Sequence, residues 1–381
     1  MSTPVPTSSQ NLPVNDLAAA YQPRRVWAAG LSIALNLVFA AAWLARPLAW
    51  GMYLRIERWC DNAHVQICVA PLYVLIYFSL YSAINYPLEL WCGYVEERQF
   101  GLAKDGIRAW TRDWLVGVVQ HGLLFVVGSC CLLALQNRFP HHATAYMTGL
   151  LLGLFLLTAY FAADVRPIGL FAFEKPDTAT RQRLSNLAGD VNLPPAVIYS
   201  ASALRDFSGG LVGLGRRQVL FISRSTLAAA SDHVLRFVLR HEAGHRRYHH
   251  PLIATLVGWL WVAAGLELSH RVIPLVSRHN VWGLPPYIAW LGLTLSAWMA
   301  LGEPLLAYLG RRMEYQADRF YLRHGGSREE MGLALAELSD RNLARTEGLR
   351  RRQRFLHPLP SITARLFAAQ EFERLHRSSE A

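Results

Sequence analysis

Charge is scarce in this chain of 381 residues. Only 17% of its residues are charged, whereas 52% are hydrophobic, and the mean hydropathy is positive. Soluble enzymes of this size rarely combine these values, because their water-exposed surface needs more charged side chains. The shortage of charge therefore argues against a soluble protein and favours one that crosses a membrane several times.

A concentrated basic surface is also missing. The formal net charge of +11 comes almost entirely from arginine, since lysine occurs only at Lys104 and Lys175. The arginines stand in short clusters between apolar runs and form no stripe interleaved with aromatic residues, as a nucleic-acid surface would. We therefore expect no nucleic-acid partner and interpret the clusters as signals of membrane topology.

Cysteine pairs with CxxC spacing are absent, which makes the cysteines poor candidates for a metal site. All of them lie within the first 131 residues of the chain: Cys60, Cys68, Cys92, Cys130 and Cys131. Cys60 and Cys68 flank one predicted loop and could pair if that loop faces an oxidising compartment. Residues 1–23 lack the basic stretch and short apolar core of a signal peptide, and their Ser, Pro and Asn content predicts a disordered tail.

Long apolar runs make up much of the rest. Four of them predict membrane spans within residues 24–163, since each is long enough to cross a bilayer as a helix: 26–45, 62–88, 114–137 and 142–163. Two more spans, 251–270 and 281–308, lie within residues 164–381, and an amphipathic C-terminal region follows them. The predicted fold class is mainly α, a multi-pass helical membrane bundle in contact with the lipid bilayer. The positive-inside rule places the N-terminus, residues 164–240 and the Arg-rich tail in the cytoplasm.

The segment 164–240 differs from its surroundings, because charges and prolines increase and the apolar runs shorten to strand length. It predicts a soluble insertion with a small β element. The predicted elements are a helix over Asp177–Ala188 capped by Asp177, strands at Ala196–Tyr199 and Gln218–Ile222, and a helix that starts at Asp232, uses its side chain as cap and runs toward Pro251. The second strand could offer an edge to an extended peptide.

The last of these helices carries the sequence His241-Glu242-Ala243-Gly244-His245. On a helix, His241 and His245 lie one turn apart on the same face and can share a metal ion. Glu242 points to the flank, where it can reach a water on that metal without binding the metal itself. This spacing is typical of zinc-dependent peptide hydrolysis.

A hydrolytic zinc site needs a third protein ligand. His249 continues the same predicted helix, and three residues on one straight helix cannot converge on a single ion. The metzincin pattern is excluded as well, since no glycine follows His245 at the required position. We therefore favour Glu314, with Asp318 accepting the other ring N–H of a ligand histidine. Alone, this Glu-x-x-x-Asp pattern is typical of a solvated helix face; together with the histidine motif it predicts one Zn²⁺ per chain.

At this point the sequence resembles the Ste24-like and HtpX-like zinc metalloproteases of family M48, a gluzincin family. The resemblance rests on four segments besides the histidine motif: Glu96–Leu102 with Trp110 and Asp113, Gly213–Phe221, Arg311–Asp318, and His357-Pro358 with Arg365. It implies that a gluzincin-type core, including the small β element, forms the second half of the chain. It also implies that His357 helps to stabilise the oxyanion and that Arg365 holds either the substrate backbone or Glu314.

The expected function is therefore a zinc-dependent endopeptidase in a membrane, with Glu242 as general base and acid. By resemblance, its peptide or protein substrates are membrane-associated, lipid-modified or misfolded, and an Arg-rich, short chain suggests the bacterial inner (cytoplasmic) membrane. Two alternatives stay open: a signalling protease of the sensor-transducer (M56-like) type, although no sensor domain is visible, and a catalytically inactive membrane scaffold. A transporter is disfavoured, because the spans show no inverted repeat.

Overall fold

The computed structural model describes residues 14–44, 46–102, 106–161, 171–201, 209–276, 284–342 and 357–380. These residues are mainly helical, and the predicted fold class is confirmed. In chain order the helices are α1 Val14–Leu44, α2 Arg46–Asn62, α3 Val69–Leu90, α4 Glu96–Gln99, α5 Ile107–Arg138, α6 Ala143–Phe161, α7 Thr178–Ala188, α8 Arg224–Ala229, α9 Asp232–Arg247, α10 His250–Val276, α11 Leu284–Arg323, α12 Arg328–Asn342 and α13 Ile362–Glu380.

Membrane-length helices dominate the first half of the described chain and recur in the second half. Within the described residues, five helical stretches are long and apolar enough to cross a membrane: Ala20–Leu44, Gln66–Gln99, Ile107–Arg138, His250–Ile273 and Tyr287–Arg323. The run predicted at 142–163 forms α6, whose apolar stretch Ala143–Leu157 is shorter than these. In the described part of the chain, the bundle therefore contains five long spans, and the 19-residue helix α6 is the candidate for the sixth predicted span.

The N-terminal region is more ordered than the sequence predicts. A disordered tail was expected through residue 23, but α1 begins at Val14, so that prediction is wrong for residues 14–23; residues 1–13 lie outside the described chain. The side chain of Tyr21 is fully buried and packs against Phe100 and Leu102. This contact ties α1 to the connection that follows α4 and stabilises the extra helical turns.

Helices α10 and α11 pack through two reciprocal tryptophan–glycine contacts. Trp261 of α10 lies against Gly302 of α11, and Trp298 of α11 lies against Gly265 of α10. The two indole rings stack with their centroids 4.3 Å apart, and Trp298 donates a hydrogen bond from Nε1 to the carbonyl oxygen of Trp261 at 2.9 Å. Each helix carries the sequence Trp-x-x-x-Gly. In each helix, therefore, the tryptophan lies one turn before the glycine that contacts the tryptophan of the other helix.

The β element is a four-stranded sheet in the described chain. Its strands are β1 Phe171–Glu174, β2 Ala196–Ala201, β3 Gly209–Val212 and β4 Val219–Ser223, in the order β1-β2-β4-β3. Strand β2 runs parallel to β4. Strand β1 pairs antiparallel with β2, and β3 pairs antiparallel with β4. The expectation that the strand at Gln218–Ile222 offers an edge is wrong, because β4 has a partner on both sides.

Helix α9 lies between two apolar clusters. Val234, Leu235 and Phe237 pack with α11, α12 and α13, whereas Leu239 packs with α7 and the sheet. Its first turn differs from the prediction, because Ser231 is the N-cap residue and Asp232 instead accepts hydrogen bonds from Arg183, at 2.6 Å and 3.1 Å. The cap predicted at Asp177 is present, since its side chain accepts from the backbone N–H of Thr180 at 2.7 Å.

Replacing Gly302 by alanine tests the tryptophan–glycine packing. The new methyl group would overlap the Trp261 ring, so we expect Gly302→Ala to destabilise the protein by about 1–3 kcal/mol, the usual cost of overpacking. Gly258→Ala is the matched control, because a methyl group there meets no atom within 4 Å. Melting temperatures of the two purified variants in detergent measure the difference; equal values would show that the rings do not restrict this position.

Candidate metal centre

Helix α9 places the three residues of the histidine motif at the boundary between the sheet-bearing segment and the spans. His241 is buried, with 7% of its surface exposed, and the Nε2 atoms of His241 and His245 lie 3.1 Å apart. The two rings therefore point at the same position, as their spacing of four residues predicts. Glu242 lies on the flank of this face.

Helix α11 approaches α9 at Gly244, inside the motif. A Cβ atom on Gly244 would lie 2.9 Å from Cα of Ala317 and 3.0 Å from Cβ of Phe320, so any larger residue would force the helices apart. This contact brings Glu314 to the histidines: its carboxylate oxygens lie 3.4 Å from His241 Nε2 and 3.6 Å from His245 Nε2. The predicted third ligand and the two histidines thus meet in space.

These three side chains fit a metal ion. One ligand atom of each lies within 4.8 Å of the other two. Two imidazole nitrogens at 3.1 Å repel each other unless a proton or a cation stands between their lone pairs, and the neighbouring carboxylate adds a negative charge. Two nitrogens and one oxygen, with a further position free for water, form the set that catalytic zinc sites use.

Asp318 and Arg365 lie directly behind these ligands. Asp318 Oδ1 lies 3.1 Å from His241 Nδ1, although the angle between the two groups is outside the range of a regular hydrogen bond. Arg365 donates from Nε to Asp318 Oδ2 at 2.8 Å and from a second guanidinium nitrogen to Oδ1, and its Nη1 lies 3.5 Å from Glu314 Oε2. The guanidinium is thus directed at the carboxylates, which supports the expectation that Arg365 holds Glu314.

Burial and charge shift the pKa values on α9 in different directions. Burial lowers the pKa of His241, but Asp318 and Glu314 outweigh it and raise the value to about 9. Burial and the charge on His241 lower the pKa of His245 to about 3, and burial raises that of Glu242 to about 7. At neutral pH, Glu242 therefore has access to both protonation states, which suits a group that takes up and releases a proton.

His357 is placed differently from the other predicted site residues. Its Nδ1 accepts a hydrogen bond from the backbone N–H of Leu359 at 3.2 Å, and its carbonyl oxygen accepts one from Arg311 at 2.6 Å. These described contacts are local to the turn before α13 and to α11. The contacts do not bring His357 to the histidines or Glu314, so its role at an oxyanion stays a prediction.

Two residues that contact the centre were missed by the sequence reading. The helix was expected to continue through His249, but α9 ends at Arg247 and His249 has a positive φ of 54°, so α10 begins in a new direction. As a result His250 turns back toward His245, and Gln316 of α11 contacts His250. The sequence places Gln316 between the predicted site residues Glu314 and Asp318, but it did not predict that the helix would end before His249.

Removing Arg365 tests its role among the buried carboxylates. Arg365→Met leaves Asp318 and Glu314 without their cation, so we expect a loss of about 3–5 kcal/mol, as for other broken buried ion pairs. Arg374→Met is the control: Arg374 is exposed and pairs only one turn away with Glu371, at 3.2 Å, so its loss should cost at most about 0.5 kcal/mol. Thermal unfolding in detergent compares them, and similar melting temperatures would contradict the assignment.

Comparison with known proteins agrees with this geometry. The model of peptidase family M48 matches residues 176–373, and a model described as CAAX prenyl protease N-terminal, five membrane helices, matches residues 15–165. The crystal structure of S. mikatae Ste24p has a similar fold, with a TM-score of 0.68 at 15% identity over 94% of this chain and 100% of that chain. No curated protein matches the sequence. Because the first model covers more than half of the sequence, the chain belongs to peptidase family M48.

Proposed function

We propose that this protein is a zinc-dependent endopeptidase that acts at a membrane surface. The observation that carries the proposal is the convergence of His241, His245 and Glu314 from two helices, with Glu242 beside them. Membership of family M48 supports peptide hydrolysis, and the donor set supports zinc, one ion per chain. Both α10 and α11 are long enough to span a membrane, and they meet α9 at this site.

Zinc, when bound, would supply Lewis-acid chemistry by acidifying a water molecule and polarising the scissile carbonyl. The residues of the chain then have separate tasks. His241, His245 and Glu314 hold the ion, and Glu242 takes a proton from the attacking water and gives it to the leaving amine. Asp318 orients His241, and Arg365 holds Asp318 and Glu314 in place. His357 is proposed as an oxyanion donor on the resemblance alone.

The proposed substrates are membrane-associated proteins, whether lipid-modified or misfolded. The site lies where His250 begins one span and where the polar end of α11, up to Arg323, leaves another. This position favours substrates that are themselves held at the membrane. Within the described sheet, strand β3 forms an edge and contacts α9, so an extended peptide could pair with it by β-augmentation.

We further propose that the site faces the cytoplasm, in the bacterial inner membrane. This orientation rests on the distribution of arginine, which is dense in the segments that share one side with the site. Arg311 and Arg312, for example, lie on α11 within one turn before Glu314, and Arg246 and Arg247 follow His245 directly.

Glu242→Gln separates catalysis from metal binding. Glutamine keeps the size of the side chain but cannot take up a proton, so we expect at least a 100-fold loss of proteolysis, within the usual range for a lost general base. The variant should still hold one zinc ion, measured by elemental analysis of the purified protein. Cleavage of an unfolded reporter protein in detergent gives the rate, and Glu373→Gln on α13 is the matched control. Equal cleavage by wild type and Glu242→Gln would refute the proposal.

Reporter fusions test the orientation. The Arg-rich C-terminus is expected in the cytoplasm, so green fluorescent protein fused after Ala381 should fluoresce in bacterial cells, whereas alkaline phosphatase at the same position should be inactive. A second pair of fusions after His141, in the loop between α5 and α6, should show the opposite pattern. Active phosphatase at the C-terminus would overturn the cytoplasmic assignment.

A further inference from the structure

A second hydrogen-bond chain reaches the centre from behind His245. His250 is the first residue of α10 and is buried, with 3% of its surface exposed. Its Nδ1 lies 2.9 Å from Nδ1 of His245, and its Nε2 lies 2.8 Å from Oε1 of Gln316. Gln316, His250 and His245 thus form a continuous chain across α11, α10 and α9. This hydrogen-bond chain ends at Nδ1 of His245, whereas Nε2 of the same ring faces Glu314.

Counting protons fixes the direction of this chain. An amide oxygen can only accept, so Nε2 of His250 must carry a hydrogen and donate it to Gln316. A neutral imidazole has a single N–H, which leaves Nδ1 of His250 with a lone pair. That lone pair can only accept, so Nδ1 of His245 must be the donor. The hydrogen of His245 then sits on Nδ1, and its Nε2 presents a free lone pair toward His241 and Glu314.

We propose that His250 and Gln316 are positioning residues that hold His245 in the tautomer able to bind a metal through Nε2. The inference rests on the proposed metalloprotease function and adds to it two residues outside the ligand set. Metal-binding histidines commonly donate their other N–H to an acceptor that fixes both ring orientation and tautomer. Here the acceptor is a neutral imidazole, whereas His241 has the charged Asp318 on the corresponding side.

A neutral acceptor has a physical advantage at this place. The centre already contains the carboxylates of Glu314 and Asp318, with Arg365 as their described cationic partner. A further carboxylate behind His245 would add a buried negative charge at the start of a membrane span, where desolvation is costly. Imidazole and amide groups fix the tautomer by hydrogen bonding alone.

The opposite direction of these hydrogen bonds gives a distinct prediction. If the amide nitrogen of Gln316 faced His250, every donor and acceptor would reverse, and Nε2 of His245 would carry a hydrogen toward the metal position. Such a histidine cannot bind a metal there. Gln316→Glu distinguishes the two directions, because a carboxylate can accept from His250 but cannot donate to it. Gln316→Met removes the acceptor and nearly keeps the size.

The experiment measures zinc affinity of the full-length protein in detergent, by competition with a chromophoric chelator. We expect His250→Asn and Gln316→Met to weaken zinc binding about 10–100-fold, the usual effect of losing such a partner. Gln316→Glu should bind zinc about as tightly as wild type, whereas the opposite direction of the hydrogen bonds predicts much tighter binding by this variant. His249→Asn is the matched control: His249 is the exposed neighbour, and asparagine tolerates its positive φ. Its zinc affinity should be unchanged.

A spectrum separates positioning from simple packing. With cobalt in place of zinc, the visible absorption bands should shift in His250→Asn and Gln316→Met and stay as in wild type in His249→Asn. The proposal would be overturned if His250→Asn bound zinc as tightly as wild type, or if Gln316→Glu bound it as weakly as Gln316→Met. It would also be overturned if metal-free His250→Asn had a lower melting temperature than wild type while its cobalt spectrum stayed unchanged. Failure of wild type itself to bind zinc would instead overturn the proposed function.

Discussion

The meeting of α9 and α11 at Gly244 is the contact on which the candidate site depends. Backbones approach this closely only where no side chain separates them, and at Gly244 even a methyl group would lie 2.9 Å from Cα of Ala317. The glycine lies inside the histidine motif, and Ala317 lies between Glu314 and Asp318. One packing contact therefore sets the distance between the two histidines and the carboxylate that would share their metal.

Charge balance is the second constraint on this region. His241, Asp318 and Arg365 are all buried, so their charges are stabilised by one another more than by water. Arg365 joins Asp318 to Glu314, and His241 touches both carboxylates. These carboxylates raise the pKa of His241, to about 9, and thereby favour a positive charge between them. A divalent cation would satisfy the same demand.

Local patterns in the sequence predicted much of this architecture. The apolar runs, the Asp177 cap and the strands near Ala196 and Val219 depend on residues that are close in the chain, and the structure contains each of them. Of the expectations that were wrong, three failed because long-range contacts decide them. Tyr21 orders part of the predicted tail, β3 covers the expected edge of β4, and Arg183 engages the carboxylate of Asp232.

The sequence alone determined which residues could form the site, because the four-residue spacings of His241 with His245 and of Glu314 with Asp318 place each pair on one helical face. Only the tertiary structure decided how these faces meet. The backbone turn at His249 brings His250 behind His245, and the guanidinium of Arg365 arrives from α13. Such contacts depend on the angles between helices, which packing sets and which no local pattern encodes.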